Sequence, residues 1–169
     1  MSDKITVAQA LRRIKKLKGD IAEHTERAKA AVSYSANKVP FFRFNDEIAS
    51  LKTAQNELVD LQSRVAIANA KATVVVAGNT MTQAEGIRRL QEIKGDIVFL
   101  KALYLRNETV KNFERNYDEI IEKYIVNTSE ETWVSDISER DRDVQVKLLQ
   151  ETYEALNNAI EERNHKVTV

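Results

Sequence analysis

The sequence contains two copies of one helix-forming stretch, residues 5–21 and residues 81–97. Eight of their 17 positions are identical, and the offset from Ile5 to Met81 is 76 residues. A chain that uses one helical segment twice is expected to build two similar helical hairpins that pack together. We therefore predict one domain, residues 1–169, built from an internal repeat.

A second similarity fixes the extent of the repeat. At an offset of 95 residues the end of the chain matches an earlier helix-like segment, with identical residues at Leu61/Leu156, Asn69/Asn164, Lys71/Lys166, Thr73/Thr168 and Val74/Val169. The two offsets differ because the second connector is longer than the first. The repeat therefore covers residues 5–74 and 81–169.

Apolar residues recur every three or four positions in four segments, which is the spacing of an amphipathic helix. A Thr-x-x-Gln capping box begins the first segment at Thr6, and a Thr-x-x-Glu box begins the third at Thr82. Charged residues make up 31% of the chain, with four Gly and one Pro, which favours helices over a β-sandwich. The prediction is an all-α fold: four long helices as two duplicated hairpins in a bundle, with a small β-hairpin-like connector.

The second connector, residues 105–135, admits two interpretations. Residues 124–126 and 132–134 have the composition of strands around a polar turn at residues 127–131, which predicts a β-hairpin. Residues 109–123 could instead prolong the third helix. A shorter β-branched run at residues 73–77, which ends at Gly78, is equally compatible with a strand or with a helix exit.

The helical motifs resemble a known family. These motifs are the capped helix at Thr6, the aromatic connector, and the Leu-x-x-x-Ile-x-x-x-Asn spacing of Leu156, Ile160 and Asn164. They resemble small, uncharacterised helical proteins of bacteria and phages that are sometimes labelled septicolysin-like. The resemblance implies an oligomeric helical protein, and it supplies no catalytic residues.

Charge and composition exclude several classes of protein. Lys+Arg and Asp+Glu are both 26, and a net charge of zero argues against broad electrostatic capture of nucleic acid. The chain has no Cys, so disulfide scaffolds and thiolate metal sites are excluded. No run approaches the roughly 18 apolar residues of a membrane span, and no apolar signal core is present. A cytoplasmic location without a membrane partner is therefore expected.

Equivalent cations occupy both copies of the repeat. They are Arg12, Arg13, Lys18, Arg88, Arg89 and Lys94. Approximate two-fold symmetry could bring them together around one phosphate or carboxylate, because Arg offers a planar fork and Lys a compact charge. The alternative is a solvated helix flank that carries only surface ion pairs.

Lys-Gly-Asp occurs at the same place in both copies. Because Gly19 and Gly95 lie mid-helix at a cost in stability, the pattern predicts a close approach to the backbone, most simply a helix crossing. Asp20 and Asp96 as a paired acid/base or metal site are thinly supported, since no third ligand accompanies them.

The aromatic residues concentrate in the connectors. Nine of the 11 lie there, at positions 34, 41, 42, 44, 104, 113, 117, 124 and 133. Three explanations remain open: each connector plugs its own bundle end, the rings form a subunit interface, or they stack on a planar ligand. In the last case Phe42 and Trp133 are the ligand-binding candidates.

No phosphate loop, nucleophile elbow or zinc-binding His-Glu-x-x-His motif is present, so a non-enzyme without cofactor or metal is predicted. The leading hypothesis is a homo-oligomeric helical binding protein, in its sharpest form a phage-type protein that sequesters a small anionic, nucleotide-like ligand. The alternative is a structural or assembly scaffold of a virion or cellular complex. A hydrolase that uses Asp20 and Asp96 ranks last. The expected partners are other copies of the chain and a small phosphorylated ligand, without sequence-specific nucleic acid.

Overall fold

The computed structural model describes residues 4–38, 40–118, 120 and 122–169. Its elements in chain order are α1 (Val7–Ala31), α2 (Phe44–Lys71), β1 (Thr73–Val76), β2 (Asn79–Thr82), α3 (Gln83–Ala102), β3 (Glu108–Asp118), β4 (Lys123–Trp133) and α4 (Glu139–Lys166). They form two compact units. The first is Met1–Gln91 with Glu154–Val169, and the second is Glu92–Tyr153.

The all-α prediction is wrong, and so is the description of the fold as a helical bundle. Four helices are present as expected, but two antiparallel two-stranded sheets, β1–β2 and β3–β4, accompany them. The fold is therefore mixed α and β. The prediction failed because residues 73–82 and 108–133 contain many β-branched and aromatic residues. These favour extended backbone even where polar residues lie between them.

The second connector is a long hairpin. Each of its strands has 11 residues, and β4 is continuous from Lys123 to Trp133. The predicted turn at residues 127–131 is therefore wrong, because the chain reverses between Asp118 and Lys123. The alternative in which residues 109–123 prolong a helix is wrong as well.

The packing of α1 on α2 builds the main core of the first unit. Its buried residues are apolar and often small: Val7, Ala10, Leu17, Ala54, Leu61, Val65 and Ala68. Alanines at the contact let two helix backbones approach closely, and the larger aliphatic residues fill the spaces between turns. The apolar seam predicted for these two helices is confirmed.

Extended residues tie the ends of the two repeats together. Thr6 pairs with Thr168 as an isolated antiparallel bridge, and Thr73 pairs with Thr82 in the β1–β2 hairpin. Thr6 corresponds to Thr82 in the repeat, and Thr73 corresponds to Thr168. The end of each repeat therefore pairs with the start of the other at both junctions.

The capping box predicted at Thr6 is confirmed. The Gln9 backbone N–H donates to Thr6 Oγ1 at 3.2 Å, and the Thr6 N–H donates to Gln9 Oε1 at 2.8 Å. The equivalent box at Thr82 is half formed. The Glu85 N–H donates to Thr82 Oγ1 at 3.1 Å, but the Glu85 carboxylate pairs with Arg89.

The close backbone approach predicted at Gly19 and Gly95 is wrong. A Cβ at either position would meet nothing within 4 Å. The crowded glycine is Gly86, where a Cβ would lie 3.2 Å from Ile160 Cδ1 and 3.3 Å from Leu156 Cδ1. Tight packing therefore explains Gly86 and leaves the repeated Lys-Gly-Asp without a packing role.

Gly19→Ala is expected to raise the free energy of unfolding by about 0.5–1 kcal/mol, because alanine is the better helix former and its methyl group enters open space. Urea denaturation measures the change. Gly86→Ala is the matched comparison and should gain less, since Ile160 and Leu156 must move to admit the methyl group. A loss of stability in Gly19→Ala would contradict the open environment of that glycine.

Candidate functional site: the β3–β4 arm

We use "the arm" for the hairpin of β3 and β4, which belongs to the second unit. Ser135 forms hydrogen bonds at the root of the arm, where β3 begins and β4 ends. The Arg106 N–H donates to Ser135 Oγ at 2.7 Å, the Ser135 hydroxyl returns a bond to the Arg106 carbonyl at 3.2 Å, and the Ser135 N–H donates to Asn107 Oδ1 at 2.8 Å. These bonds join the backbone just before β3 to the backbone just after β4, and so hold the two strands side by side.

A stacked cation reinforces the root. The Arg106 guanidinium lies 4.4 Å from the centroid of the Trp133 ring, within the range of a cation–π contact. Its Nε donates to Glu108 Oε1 at 2.5 Å, and this bond raises the pKa of Arg106. One face of Trp133, which was predicted to stack on a ligand, is therefore already in contact with an arginine.

The register assigns the residues of the arm to two faces. Phe113 pairs with Thr128, Arg115 with Val126, and Tyr117 with Tyr124. Because side chains alternate along a strand, these residues share one face. We call Phe113, Tyr117, Tyr124 and Val126 the aromatic face.

The aromatic face is open to solvent. Its four residues are 70%, 53%, 63% and 55% exposed, in chain order. The Tyr117 and Tyr124 rings meet edge to face with centroids 5.2 Å apart, and the Arg115 guanidinium lies 4.9 Å from the centroid of Tyr124. These exposures contradict the prediction that the second connector buries its rings as a plug.

No third strand joins the arm within the part of the chain that the structure describes. A two-stranded hairpin without a covering layer is only marginally stable in water. Contiguous exposed apolar side chains usually mark a contact surface. The arm therefore combines two unpaired backbone edges with an uncovered apolar face, which suits a surface for association.

The first connector forms a smaller aromatic site in the first unit. Phe42 is half-buried, meets Phe41 edge to face with centroids 4.8 Å apart, and lies 4.7 Å beneath the Arg27 guanidinium. A cavity of about 320 Å³ opens beside it. The cavity is lined by Ala30, Ala31, Tyr34, Ser35, Lys38, Pro40, Phe41 and Phe42.

The six predicted cations are all exposed: Arg12, Arg13, Lys18, Arg88, Arg89 and Lys94. Arg13 Nε donates to Glu57 Oε1 on α2, and Arg89 donates to Glu85 Oε1 on its own helix at 2.8 Å. Both are surface ion pairs, as expected if these cations lie on a solvated helix flank. A common anion site formed by the six residues stays a prediction.

Two polar pairs join helices near the core of the first unit. His24 is half-buried, and its Nδ1 lies 2.7 Å from Oε2 of the buried Glu47. The side-chain amide of the fully buried Gln83 donates to Asn164 Oδ1. Glu47 and Gln83 are polar, so the periodicity of apolar residues did not predict their burial.

Two kinds of feature are absent from the described residues. No group of three or more His, Cys, Asp or Glu side chains is arranged to hold a metal ion there. No helix in the same residues has both the length and the apolar character needed to cross a bilayer.

Comparisons with known proteins identify a fold and no family. No family model matches the sequence, and no curated protein does. Among solved structures, the chain is similar to the crystal structure of a functionally unknown conserved protein from Corynebacterium diphtheriae. The TM-score is 0.73 at 14% sequence identity, over 99% of each chain. At this identity the likeness concerns the fold alone. The comparisons lend no support to a phage protein or to nucleotide binding, and the septicolysin-like resemblance stays untested.

Proposed function

We propose that this protein is a non-enzymatic assembly protein that associates with copies of itself, and that the arm is its contact element. The observation that carries the proposal is the uncovered aromatic face, in which Phe113 is 70% and Tyr124 63% exposed. Of the two functions predicted from the sequence, this is the scaffold, with the connector rings as the contacts between subunits.

The energetics suit a contact surface. Burial of a large apolar side chain stabilises a complex by about 1.5–3 kcal/mol. Two arms that each bring Phe113, Tyr117 and Tyr124 can therefore supply a contribution of the same order as the roughly 4–15 kcal/mol that association costs in lost freedom. The tyrosine hydroxyls keep such a face compatible with water before association.

The solution mass tests this function. Light scattering of the wild type at micromolar concentrations is expected to give a mass above the 19.3 kDa of one chain. Replacing Phe113, Tyr117 and Tyr124 together with Thr keeps β propensity and removes the rings, so the mass should fall towards that of one chain. A wild type that stays monomeric throughout would contradict the proposal.

Phe41→Ser is the matched control for the triple variant. Phe41 is 92% exposed, but it lies in the first connector. Its replacement removes an exposed ring without altering the arm. The wild-type mass is therefore expected to persist. An equal loss of mass in this control would mean that general surface hydrophobicity, rather than the arm, drives association.

A second candidate function is the binding of a small planar anion at the first connector. The 320 Å³ cavity beside Phe42 is the observation that favours it, because Tyr34 and Phe41 supply rings while Lys38 supplies a cation. The Arg27 guanidinium, 4.7 Å from the centroid of the Phe42 ring, supplies a second cation next to these rings. A planar anion could stack on the rings and pair with these cations.

Thermal denaturation with phenyl phosphate tests this second function. Binding to the native state raises the stability by about 2.7 kcal/mol at 100 times the Kd, so the melting temperature should rise by several degrees. Phe42→Leu is expected to abolish the rise. The double variant Arg12→Ala with Arg88→Ala should retain it, because those arginines lie outside the cavity lining. A rise that survives Phe42→Leu would place the ligand elsewhere.

A further inference from the structure

The outer edge of β4 is a second exposed feature of the arm, distinct from the aromatic face. The arm is a two-stranded sheet, so within the described residues each strand has one edge without a partner. The pairing of β3 with β4 runs through 11 successive residue pairs without a bulge. The outer edge of β4 therefore presents a long, regular row of backbone donors and acceptors, which is a template for another strand.

The β4 edge lacks the usual protection against such pairing. Natural edge strands carry Lys, Pro or bulges that discourage a second strand. Residues 124–132 contain no Lys, Arg, Pro or Gly. The exposed Glu130 carboxylate pairs with Lys111 across the two strands, with 3.1 Å between Glu130 Oε1 and Lys111 Nζ. The two strands of the arm differ in where their cations lie. β4 carries only Lys123, at its start, whereas Lys111 and Arg115 lie in the middle of β3.

The charges of the β4 edge are compatible with pairing to a second copy of itself. In an antiparallel pair of two β4 strands centred on Thr128, Val126 of one copy opposes Glu130 of the other, and Asn127 opposes Ser129. No two charged residues are opposed between residues 124 and 132. Directly opposed like charges destabilise a strand pair, so their absence permits this register.

The equivalent register on β3, centred on Phe113, opposes like charges. An antiparallel pair of two β3 strands centred on Phe113 would oppose Lys111 with Arg115 and Glu108 with Asp118. Both pairs carry like charges, and each occurs twice because of the two-fold axis. Like charges disfavour this β3 register, whereas a β3 pair centred on Asn112 opposes none between residues 108 and 116. The choice of β4 therefore rests on the absence of Lys, Arg, Pro and Gly from residues 124–132.

We propose that β4 is a homodimerisation strand. A second copy of the chain adds its own β4 in antiparallel orientation about a two-fold axis at Thr128, which gives a four-stranded sheet in the order β3–β4–β4–β3. This inference rests on the proposed self-association and gives its partner, edge and register. The aromatic faces of the two arms lie on the same side of this four-stranded sheet. Such a contact is isologous and closed, so it yields a dimer rather than an open filament.

Single cysteines test the register cleanly because the natural chain contains no Cys. Thr128→Cys places two thiols beside the proposed axis, where cross-strand Cβ atoms are about 4.5–5.5 Å apart. Mild oxidation should convert most of the protein to a disulfide-linked dimer on a non-reducing gel. Asn112→Cys lies on β3, away from the proposed contact, and should remain monomeric on the same gel. Circular dichroism should show that both variants keep the wild-type fold.

A mixture of two variants tests the antiparallel register. Asn127→Cys and Ser129→Cys are opposed across the proposed axis, so their mixture should yield the heterodimer in preference to either homodimer. Each variant alone is displaced by two positions from its own copy and should cross-link poorly. Equal yields of all three products would overturn the register.

The outcomes separate the inference from the function on which it rests. A wild type of twice 19.3 kDa, with cross-linking at Thr128 and none at Asn112, supports both. The same mass without cross-linking at Thr128, or with equal cross-linking at both positions, overturns the β4 edge and leaves self-association standing. A wild type that is monomeric at micromolar concentrations overturns both.

Discussion

Leu156→Ala is expected to lower the free energy of unfolding by about 3 kcal/mol, because it removes a buried side chain and leaves a cavity. Leu156 is 3% exposed, and its Cδ1 packs against the backbone of Gly86, which has no side chain to move into the space. Leu61 occupies the equivalent position of the repeat and is also 3% exposed, so Leu61→Ala should cost a similar amount.

Urea denaturation and thermal melting measure this effect. For a chain of this size a loss of about 3 kcal/mol corresponds to a decrease of about 6–12 °C in the melting temperature. Leu148→Ala is the matched control: the substitution is the same, on the same helix as Leu156, but Leu148 is 57% exposed. Its cost should stay within about 0.5 kcal/mol. A small effect at Leu156 beside a large one at Leu61 would show that the repeats differ in how they build their cores.

Thr128→Lys is expected to weaken self-association on the order of 100-fold. The proposed axis passes through Thr128, so the dimer would bring two lysines to directly opposed positions, where like charges repel. The fold of one chain should survive, because Thr128 lies on an exposed strand and pairs with the exposed Phe113. Analytical ultracentrifugation over a concentration series measures the dimer dissociation constant.

Asn112→Lys separates the effect of position from that of net charge. It adds the same charge to the same hairpin, but on β3 and one register pair away from Phe113 and Thr128. Its dissociation constant should stay within a few-fold of the wild type, and modest salt should remove the difference. Equal weakening by both variants would indicate general charge repulsion and would count against the β4 edge.

The sequence was sufficient to predict a helix where one face of that helix is buried. The repeated capping motif located the start of α1, and aliphatic spacing identified the contact between α1 and α2, because burial of one helix face imposes a period of three to four residues. The burial of Glu47 beside His24 was not predicted from the sequence. Glu47 is charged, yet it occupies a buried position that hydropathy assigns to apolar residues.

The strands of the arm could not be located from the spacing of apolar residues. Alternation in a strand is visible only when one face is buried, since burial is what selects apolar residues at every second position. Both faces of β3 are largely exposed, and polar residues at Lys111, Asn112, Glu114, Arg115 and Asn116 interrupt the pattern. Its strand character, and the position of the turn, therefore depended on the pairing with β4 in three dimensions.

The same distinction holds for the candidate site. The sequence by itself determined the duplication, the starts of α1 and α3, the uneven placement of aromatic rings and the charges along both strands of the arm, because each is local or periodic. Only the tertiary structure decided that Phe113, Tyr117 and Tyr124 lie together on one exposed face, that the β4 edge is unpaired, and that Gly86 rather than Gly19 is crowded. These features depend on which segments meet, and contacts between residues distant in the sequence leave no periodic trace in it.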